Sequence, residues 1–263
     1  MGKFLGTVKT SIKESIIWKF EMAMSVFFAP LSLIVMYFLW QAIYTNTGTT
    51  VIQGFTFNEL ITYYTLSWIV GIMIYTHIDE ALRHEVRKGK VVKDLLKPIN
   101  YVLSHFYITV GHRTYASIVE AIPILIIGFV FFNIQFNLAS FPFFLVSLIL
   151  AIFLNFLIAA LVGLTAFWLV HNRGVMKLRR VLSYFLSGGM IPLTFFPLWF
   201  QNLSMFLPFQ YLTFVPINMW LGKYSIQETL MLMAIHLVWV IALYIICALV
   251  WKAVMKKVAV VGI

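Results

Sequence analysis

Three polar side chains lie inside long apolar runs of this sequence, at Glu120, Asn155 and His236. Such groups are costly in an apolar environment, so they usually face a water-filled route or a polar group on a neighbouring helix. Glu120 follows Arg113 by seven residues and Ser117 by three, which places all three roughly on one helical face. Glu120, Asn155 and His236 are therefore candidates for lining a substrate route or for contacts between helices, and the sequence leaves both roles open.

Catalytic and nucleotide-binding motifs are absent from the sequence. A P-loop has a glycine five residues before its Gly-Lys pair and a Ser or Thr directly after it, because its backbone N–H groups hold phosphate. The pair Gly89-Lys90 has His84 and Val91 at those places. The zinc-protease motif HExxH fails at residues 84–88, which end in lysine. We therefore expect a chain that is not an enzyme and holds no cofactor or metal, with any ATP hydrolysed by another chain.

The most charged stretch of the chain is residues 83–100, RHEVRKGKVVKDLLKPIN. Pro98 disfavours helical geometry at Lys97, so a short helix should end there. Two valines, Leu95 and Leu96 form an apolar ridge rimmed by charges, which is typical of a protein interface. A basic loop that fixes topology or binds anionic lipid is the alternative, but topology requires no leucines. The candidate partner-contacting residues are Arg87, Lys90, Val91, Lys93, Asp94, Leu95, Leu96, Lys97 and Pro98.

Long apolar runs are the elements that must position these residues. Of the 263 residues, 62% are apolar and 11% are charged, against roughly 25% charged in a soluble domain. About 20 apolar residues cross the hydrocarbon of a bilayer. The composition therefore predicts an all-α integral membrane protein with a single transmembrane domain of six helices. The predicted spans are residues 23–44, 59–77, 114–132, 143–170, 181–196 and 230–251.

The distribution of basic residues predicts the orientation of the spans. Of the 19 Lys and Arg residues, 18 fall on one side of a six-span layout, and only Lys223 falls on the other. Because Lys and Arg concentrate in cytoplasmic segments, both termini are predicted to be cytoplasmic. The same rule accounts for the net charge of +10 without a nucleic-acid partner.

The N-terminal segment, residues 1–20, is predicted to form an amphipathic helix that lies on the inner membrane surface. Its apolar side chains recur at helical spacing, and its lysines would lie near anionic headgroups. An ordinary charged tail is the alternative. The predicted apolar face carries Phe4, Leu5, Val8, Ile12 and Ile16.

The apolar segment 197–222, before the last span, contains Pro197, Pro208 and Pro216. Proline removes a backbone donor, and unpaired backbone groups are costly in lipid. We therefore expect short re-entrant helices in the outer leaflet, with their broken ends buried in protein, rather than a seventh span over residues 198–213. The candidate gate residues of this region are Gly188, Gly189, Pro192, Pro197 and Pro208.

Two stretches together resemble the membrane subunits of type-2 ABC exporters, a family of permeases of about this length. One is the charged connection, residues 85–101, and the other is residues 186–212, SGG onward to the Leu-Pro-Phe-x-Tyr sequence. The matching residues are Gly89, Leu95, Leu96, Lys97 and Pro98 in the first stretch, and Gly188, Ile191, Pro192, Phe196, Pro197, Trp199, Leu207, Pro208, Phe209 and Tyr211 in the second.

The resemblance implies a permease that exports its substrate as a dimer driven by two ABC ATPase subunits. Residues 83–100 would be the coupling helix that docks on the ATPase, and residues 1–20 the connecting helix. The substrate route would run near the first, second and fifth spans. ATP and Mg²⁺ would bind the ATPase, the second permease would be identical or paralogous, and the complex would contact lipids in a prokaryotic plasma (inner) membrane.

The aromatic content of 17% favours an amphipathic or hydrophobic substrate, such as a drug, a lipid or a peptide. One alternative is a stand-alone secondary transporter that uses Glu120 and His236 as a proton relay, or a membrane-embedded lipid enzyme. Few intramembrane ionisable groups and no visible repeat disfavour the transporter, and no catalytic constellation supports the enzyme. A non-transporting sensor or assembly subunit on the same scaffold is the other alternative.

Overall fold

The computed structural model describes residues 2–89, 101–134, 136–169 and 172–261, and this part of the chain is almost entirely helical. The one β-structure described there is a short antiparallel hairpin of β1 (Val51–Ile52) and β2 (Phe55–Thr56). The α-helices are α1 (Gly2–Ser15), α2 (Lys19–Thr47), α3 (Phe57–Ile74), α4 (Ile78–Arg87), α5 (Tyr101–Ala116), α6 (Ile122–Phe132), α7 (Phe141–Leu164), α8 (Arg173–Leu186), α9 (Leu198–Met205), α10 (Phe214–Trp220) and α11 (Ile226–Val261).

Four helices in the described residues are long and apolar enough to cross a membrane, and the all-α prediction is confirmed. A π-helical segment, Ser117–Ala121, joins α5 to α6 in the second of them. The prediction of six spans stays a prediction for the other two. The four candidates are Lys19–Thr47, Tyr101–Phe132, Phe141–Phe167 and Ile226–Lys257.

The second and fifth predicted spans correspond to shorter helices. α3 has 18 residues, or about 27 Å at 1.5 Å per residue, which is close to the hydrocarbon thickness. α8 has 14 residues and ends at Leu186, so the predicted span over residues 181–196 does not form one helix. Gly188 follows with a positive φ of 76°, a conformation that ends helices.

The third predicted span begins earlier than expected, since its helix starts at Tyr101 rather than at residue 114. Residues 101–113, which the sequence placed in a predicted cytoplasmic connection, therefore form the first turns of this helix. α7 lies at the centre of the bundle, because 56% of its most apolar window is buried, against 11% for α2 and for α11. Helices α2 and α11 therefore present most of their apolar surface outward.

The N-terminal helix α1 packs lengthwise on α5 through small residues. Ser11 and Ser15 are buried, and a side chain at Gly111 of α5 would meet the carbonyl oxygen of Val8 at 2.8 Å. Of the predicted apolar face, Phe4 meets the ring of Tyr107 on α5 with centroids 4.9 Å apart. Leu5 and Ile16 stay exposed. The helix is thus held to the bundle, and its place on the membrane surface stays a prediction.

We predict that Gly111→Ala detaches α1 from α5. The added methyl group lies 2.7 Å from Ser11 Cβ and 2.8 Å from the Val8 carbonyl oxygen, so the helices must separate. Overpacking of this kind costs about 1–3 kcal/mol, and 1.4 kcal/mol is about tenfold in an equilibrium. Limited trypsin digestion at Lys13 should therefore become several-fold faster.

The matched control for that digestion is Gly6→Ala on α1 itself. An added methyl group there meets nothing within 4 Å, and alanine stabilises a helix by about 1 kcal/mol relative to glycine. Cleavage at Lys13 should be unchanged or slower in this variant. Equal cleavage rates in the two variants would show that the contact at Gly111 does not hold α1.

Candidate functional site

A cavity of about 1010 Å³ opens between helices α2, α3, α4, α5 and α8. α3 contributes Trp68 and Ile72, and Tyr75 directly follows it, so one wall is largely apolar and aromatic. α4 contributes charged and histidine side chains on another wall. Binding sites for small molecules typically measure about 300–1,000 Å³ and combine apolar walls with a few polar groups. This cavity therefore has the size and lining of a binding site.

Glu120, the first of the three candidate route residues, lies on the wall of this cavity and is only 9% exposed. It belongs to the π-helical segment, a local widening of the helix that often occurs at functional sites. Arg113 lies close enough to interact with it electrostatically. The Arg113 guanidinium also donates to the carbonyl oxygen of Ile72 at 3.1 Å and lies 5.2 Å from the ring centre of Tyr75. Of the helical face that the sequence predicted, Arg113 and Glu120 thus line the cavity, whereas Ser117 is not among the lining residues.

Asn155 and His236 do not belong to the described cavity lining. Asn155 is buried in α7 and donates to the carbonyl oxygen of Ile74 at 2.7 Å. His236 of α11 is fully buried, with its Nδ1 3.5 Å from the hydroxyl of Ser147 on α7. Both side chains join helices to α7, so their geometry is that of contacts between helices.

A buried ion pair joins α4 to α8, and the sequence analysis did not identify it. Arg179 donates to Asp79 at 2.9 Å, and the side chains are 7% and 0% exposed. Beside it, Arg180 donates to Glu80 at 2.6 Å at a more exposed position. This hydrogen bond lowers the pKa of the Glu80 carboxyl below its usual value, so the carboxylate is ionised at neutral pH. The only sequence signal is one acidic and one basic dipeptide, 100 positions apart.

Helix α4 has further contacts that fix it to the bundle. Glu85 accepts a hydrogen bond from the Tyr101 hydroxyl and lies 3.3 Å from His105 Nε2, both on α5. Leu82 packs against Gly163 of α7, where an added Cβ would lie 2.6 Å from the leucine. α4 is therefore tied to α5, α7 and α8 at once.

The predicted partner-contacting residues begin where α4 ends. Arg87 is the last residue of α4 and is exposed, and Gly89 follows with a positive φ of 65°. α4 covers Ile78–Arg87, and the helix end predicted at Lys97 lies outside the described residues. The other predicted contact residues, Lys90, Val91, Lys93, Asp94, Leu95, Leu96, Lys97 and Pro98, lie outside the described residues.

The predicted gate region is broken into short helices, as its prolines suggested. Two of its carbonyl groups accept hydrogen bonds from side chains of α3. The Tyr63 hydroxyl donates to the Gly188 oxygen at 2.7 Å, and the Ser67 hydroxyl donates to the Gly189 oxygen at 3.0 Å. Ser67 and Gly189 also line the cavity. Pro192, Pro197 and Pro208 directly precede or begin the elements Leu193–Phe195, Leu198–Met205 and Pro208–Leu212.

We predict that Asp79→Asn strongly destabilises the protein. It leaves the Arg179 guanidinium buried without its counter-charge, a change that typically costs about 3–5 kcal/mol. The double variant Asp79→Asn with Arg179→Gln should recover part of that loss, because no unpaired charge remains. The measurement is the thermal unfolding midpoint of each purified variant in the same detergent.

The matched control is Glu80→Gln, which breaks the neighbouring ion pair with Arg180. Its side chains are 45% and 37% exposed, and exposed pairs contribute at most about 1 kcal/mol. If Glu80→Gln lowered the midpoint as much as Asp79→Asn, the buried pair would have no special role.

Comparison with known proteins agrees with this arrangement. The family model described as "ABC-2 family transporter protein" matches residues 31–262, which is most of the chain. No curated protein and no solved structure shows significant similarity to the chain. The match includes every described transmembrane candidate, apart from the first part of α2, and confirms the resemblance carried by the sequence motifs. The chain therefore belongs to the ABC-2 family of transporter membrane proteins.

Proposed function

We propose that this chain is the permease subunit of an ABC exporter and is moved by ATPase subunits that dock on residues 83–100. The observation that carries the proposal is the buried pair between Asp79 and Arg179. It links α4, which leads directly into the docking segment, to α8, which walls the cavity. A displacement at the docking segment therefore reaches the cavity through two rigid helices.

In this proposal, movement of α4 would pass to α8 and then to the residues that follow α8. α4 pulls on α8 through Asp79 and Glu80, and α8 is about 21 Å long at 1.5 Å per residue. Its far end leads to Gly188 and Gly189, which α3 holds by hydrogen bonds. Rigid-body movement of packed helices is an ordinary way to switch between two states of a transporter. The cavity would thereby open alternately to the two sides of the membrane.

The remaining parts of the proposed assembly follow from the family and from exposed surface. The cavity walls on α3 and α8 belong to the second and fifth predicted spans, and the lining residues Glu21 and Met22 of α2 lie just before the first. Large apolar side chains of α2 and α8 face outward, among them Phe27, Phe38 and Leu178. These surfaces suit membrane lipid and a second permease, identical or paralogous. ATP and Mg²⁺ would be bound by two ATPase subunits, with both termini of this chain in the cytoplasm of a prokaryotic cell.

The stand-alone secondary transporter is less well supported. A proton relay requires its groups to lie along one route, yet Glu120 lines the cavity while His236 is fully buried against α7. Within the described residues, the polar side chains that contact His236 are those of Ser147 and Tyr211, and neither is a carboxylate. The geometry therefore favours a permease whose energy comes from another chain.

We predict that the triple variant Lys93→Glu, Leu95→Asp, Lys97→Glu abolishes binding of the ATPase. The variant reverses the rim charges and places a carboxylate in the apolar ridge. Truncating a central interface residue often costs about 2 kcal/mol or more of binding free energy. The chain is co-expressed with its neighbouring genes, and an ABC ATPase that co-purifies with the wild type serves as the partner. The ATPase retained on the affinity-purified permease is then quantified, and we expect at least a tenfold loss.

A control with a similar change in net charge is Lys252→Glu with Lys256→Glu, which changes two exposed lysines near the end of α11. This variant should retain the ATPase. Both variants must be inserted in the membrane to wild-type levels for the comparison. Unchanged retention in the triple variant would refute docking at this segment.

A further inference from the structure

The balance of acidic and basic side chains in the cavity lining differs from that of the whole chain. The chain has 19 basic and 9 acidic residues, so about two thirds of its charges are positive. Among the described lining residues, acidic side chains outnumber arginines and no lysine occurs. Three histidines are also present there. The lining carboxylates are Glu21, Glu80, Glu85 and Glu120, and the lining guanidinium groups are Arg83 and Arg113.

Several of these charges are already engaged by the protein. Glu80 accepts from Arg180, and Glu85 contacts Tyr101 and His105 on α5. The Arg113 guanidinium is directed to a backbone carbonyl and to an aromatic ring. These groups hold the walls together and are less available to a ligand.

Glu120 differs from Glu80 and Glu85 in its partners, and from the exposed Glu21 in its burial. Its side chain is more than nine-tenths buried, and within the described part of the chain it accepts no hydrogen bond and lies within 4.0 Å of no cationic side-chain nitrogen. A buried carboxylate normally accepts hydrogen bonds, since leaving it without them is costly. The interaction with Arg113 is electrostatic and does not supply them. Glu120 is therefore a carboxylate that faces the cavity with its acceptor sites open.

The arginine on α4 lies far from this carboxylate. Arg83 is two residues from Glu85, which contacts His105 of α5. Glu120 lies fifteen residues further along the same helix, or about 22 Å at 1.5 Å per residue. At physiological salt, exposed charges are screened beyond roughly 8 Å. Arg83 is therefore too far away to neutralise Glu120, and Arg113 is the lining cation that interacts with it.

Three aromatic side chains line the same cavity as Glu120. Trp68 is 40% exposed, Tyr75 is 37% exposed and Tyr184 is 54% exposed. Aromatic faces attract cations by about 0.5–2 kcal/mol and also provide apolar contact for an organic ligand. A cavity that holds both partly exposed rings and an open carboxylate suits a cation with an apolar body.

We propose that this cavity binds amphipathic organic cations, with the apolar body against Trp68 and Tyr184 and the positive group at Glu120. The proposal rests on the proposed function for the role of such cations as transport substrates. Binding itself requires neither ATP nor a second chain, so the two can fail separately.

The test uses two probes of nearly equal size and opposite charge, tetraphenylphosphonium and tetraphenylborate. Equilibrium dialysis measures binding of each to the purified wild-type chain in lipid nanodiscs at pH 7.5, where an ordinary histidine is mostly neutral. Empty nanodiscs correct for partition into lipid. We expect saturable binding of the phosphonium only, weakened at least tenfold by Glu120→Gln and several-fold by Trp68→Leu.

The matched control is Glu228→Gln, which changes an exposed carboxylate at the start of α11 that does not line the cavity. This variant should bind the phosphonium like the wild type. If Glu120→Gln does not fold, the test uses Glu120→Asp and Trp68→Leu in its place. Their phosphonium binding is then considered together with the preference of the wild type for the cation. Equal binding of the two probes, or full phosphonium affinity in the folded Glu120 and Trp68 variants, would overturn the proposal. ATPase retention, measured on the same preparations, separates this outcome from failure of the proposed function.

Discussion

The architecture of this permease depends on one buried ion pair, Asp79 with Arg179. Two charges inside a protein stabilise it only when each is the partner of the other, because each alone would be desolvated without compensation. The pair therefore allows α4 and α8 few positions in which both charges are satisfied. α4 is the element next to the predicted ATPase docking segment, and α8 is a wall of the cavity. α4 and α8 are thus joined by an electrostatic contact, while packing of Leu82 against Gly163 joins α4 to α7.

Much of the fold could be predicted from the sequence because membranes impose simple rules. Long apolar runs predicted the four helices that are long enough to span, and proline spacing predicted that the segment after α8 would be broken. The motif resemblance to type-2 ABC exporters is confirmed by the family match over residues 31–262. Glu120 was recognised as unusual because an acid within an apolar run is costly. The orientation and the count of six spans stay predictions.

Other features depend on tertiary contacts that local patterns do not encode. Asp79 and Glu80 pair with Arg179 and Arg180 across 100 positions, and nothing in either dipeptide identifies the other. The early start of α5 at Tyr101 brings its first turns against α4, where Glu85 accepts from the Tyr101 hydroxyl. The sequence analysis named both Glu120 and His236 as candidates for a route, and the structure separates them, because Glu120 lines the cavity whereas His236 is fully buried against α7.

The hydrogen bonds from α3 to the end of α8 determine how that end can move. Tyr63 and Ser67 donate to two successive carbonyl groups, at Gly188 and Gly189. A buried carbonyl that loses its donor costs about 1–3 kcal/mol, so intermediate positions of the helix end are unfavourable. Movement should then occur as a single step with a barrier, rather than as a gradual drift. Its rate would depend on Tyr63, a fully buried side chain outside the cavity lining that a transported molecule need never touch.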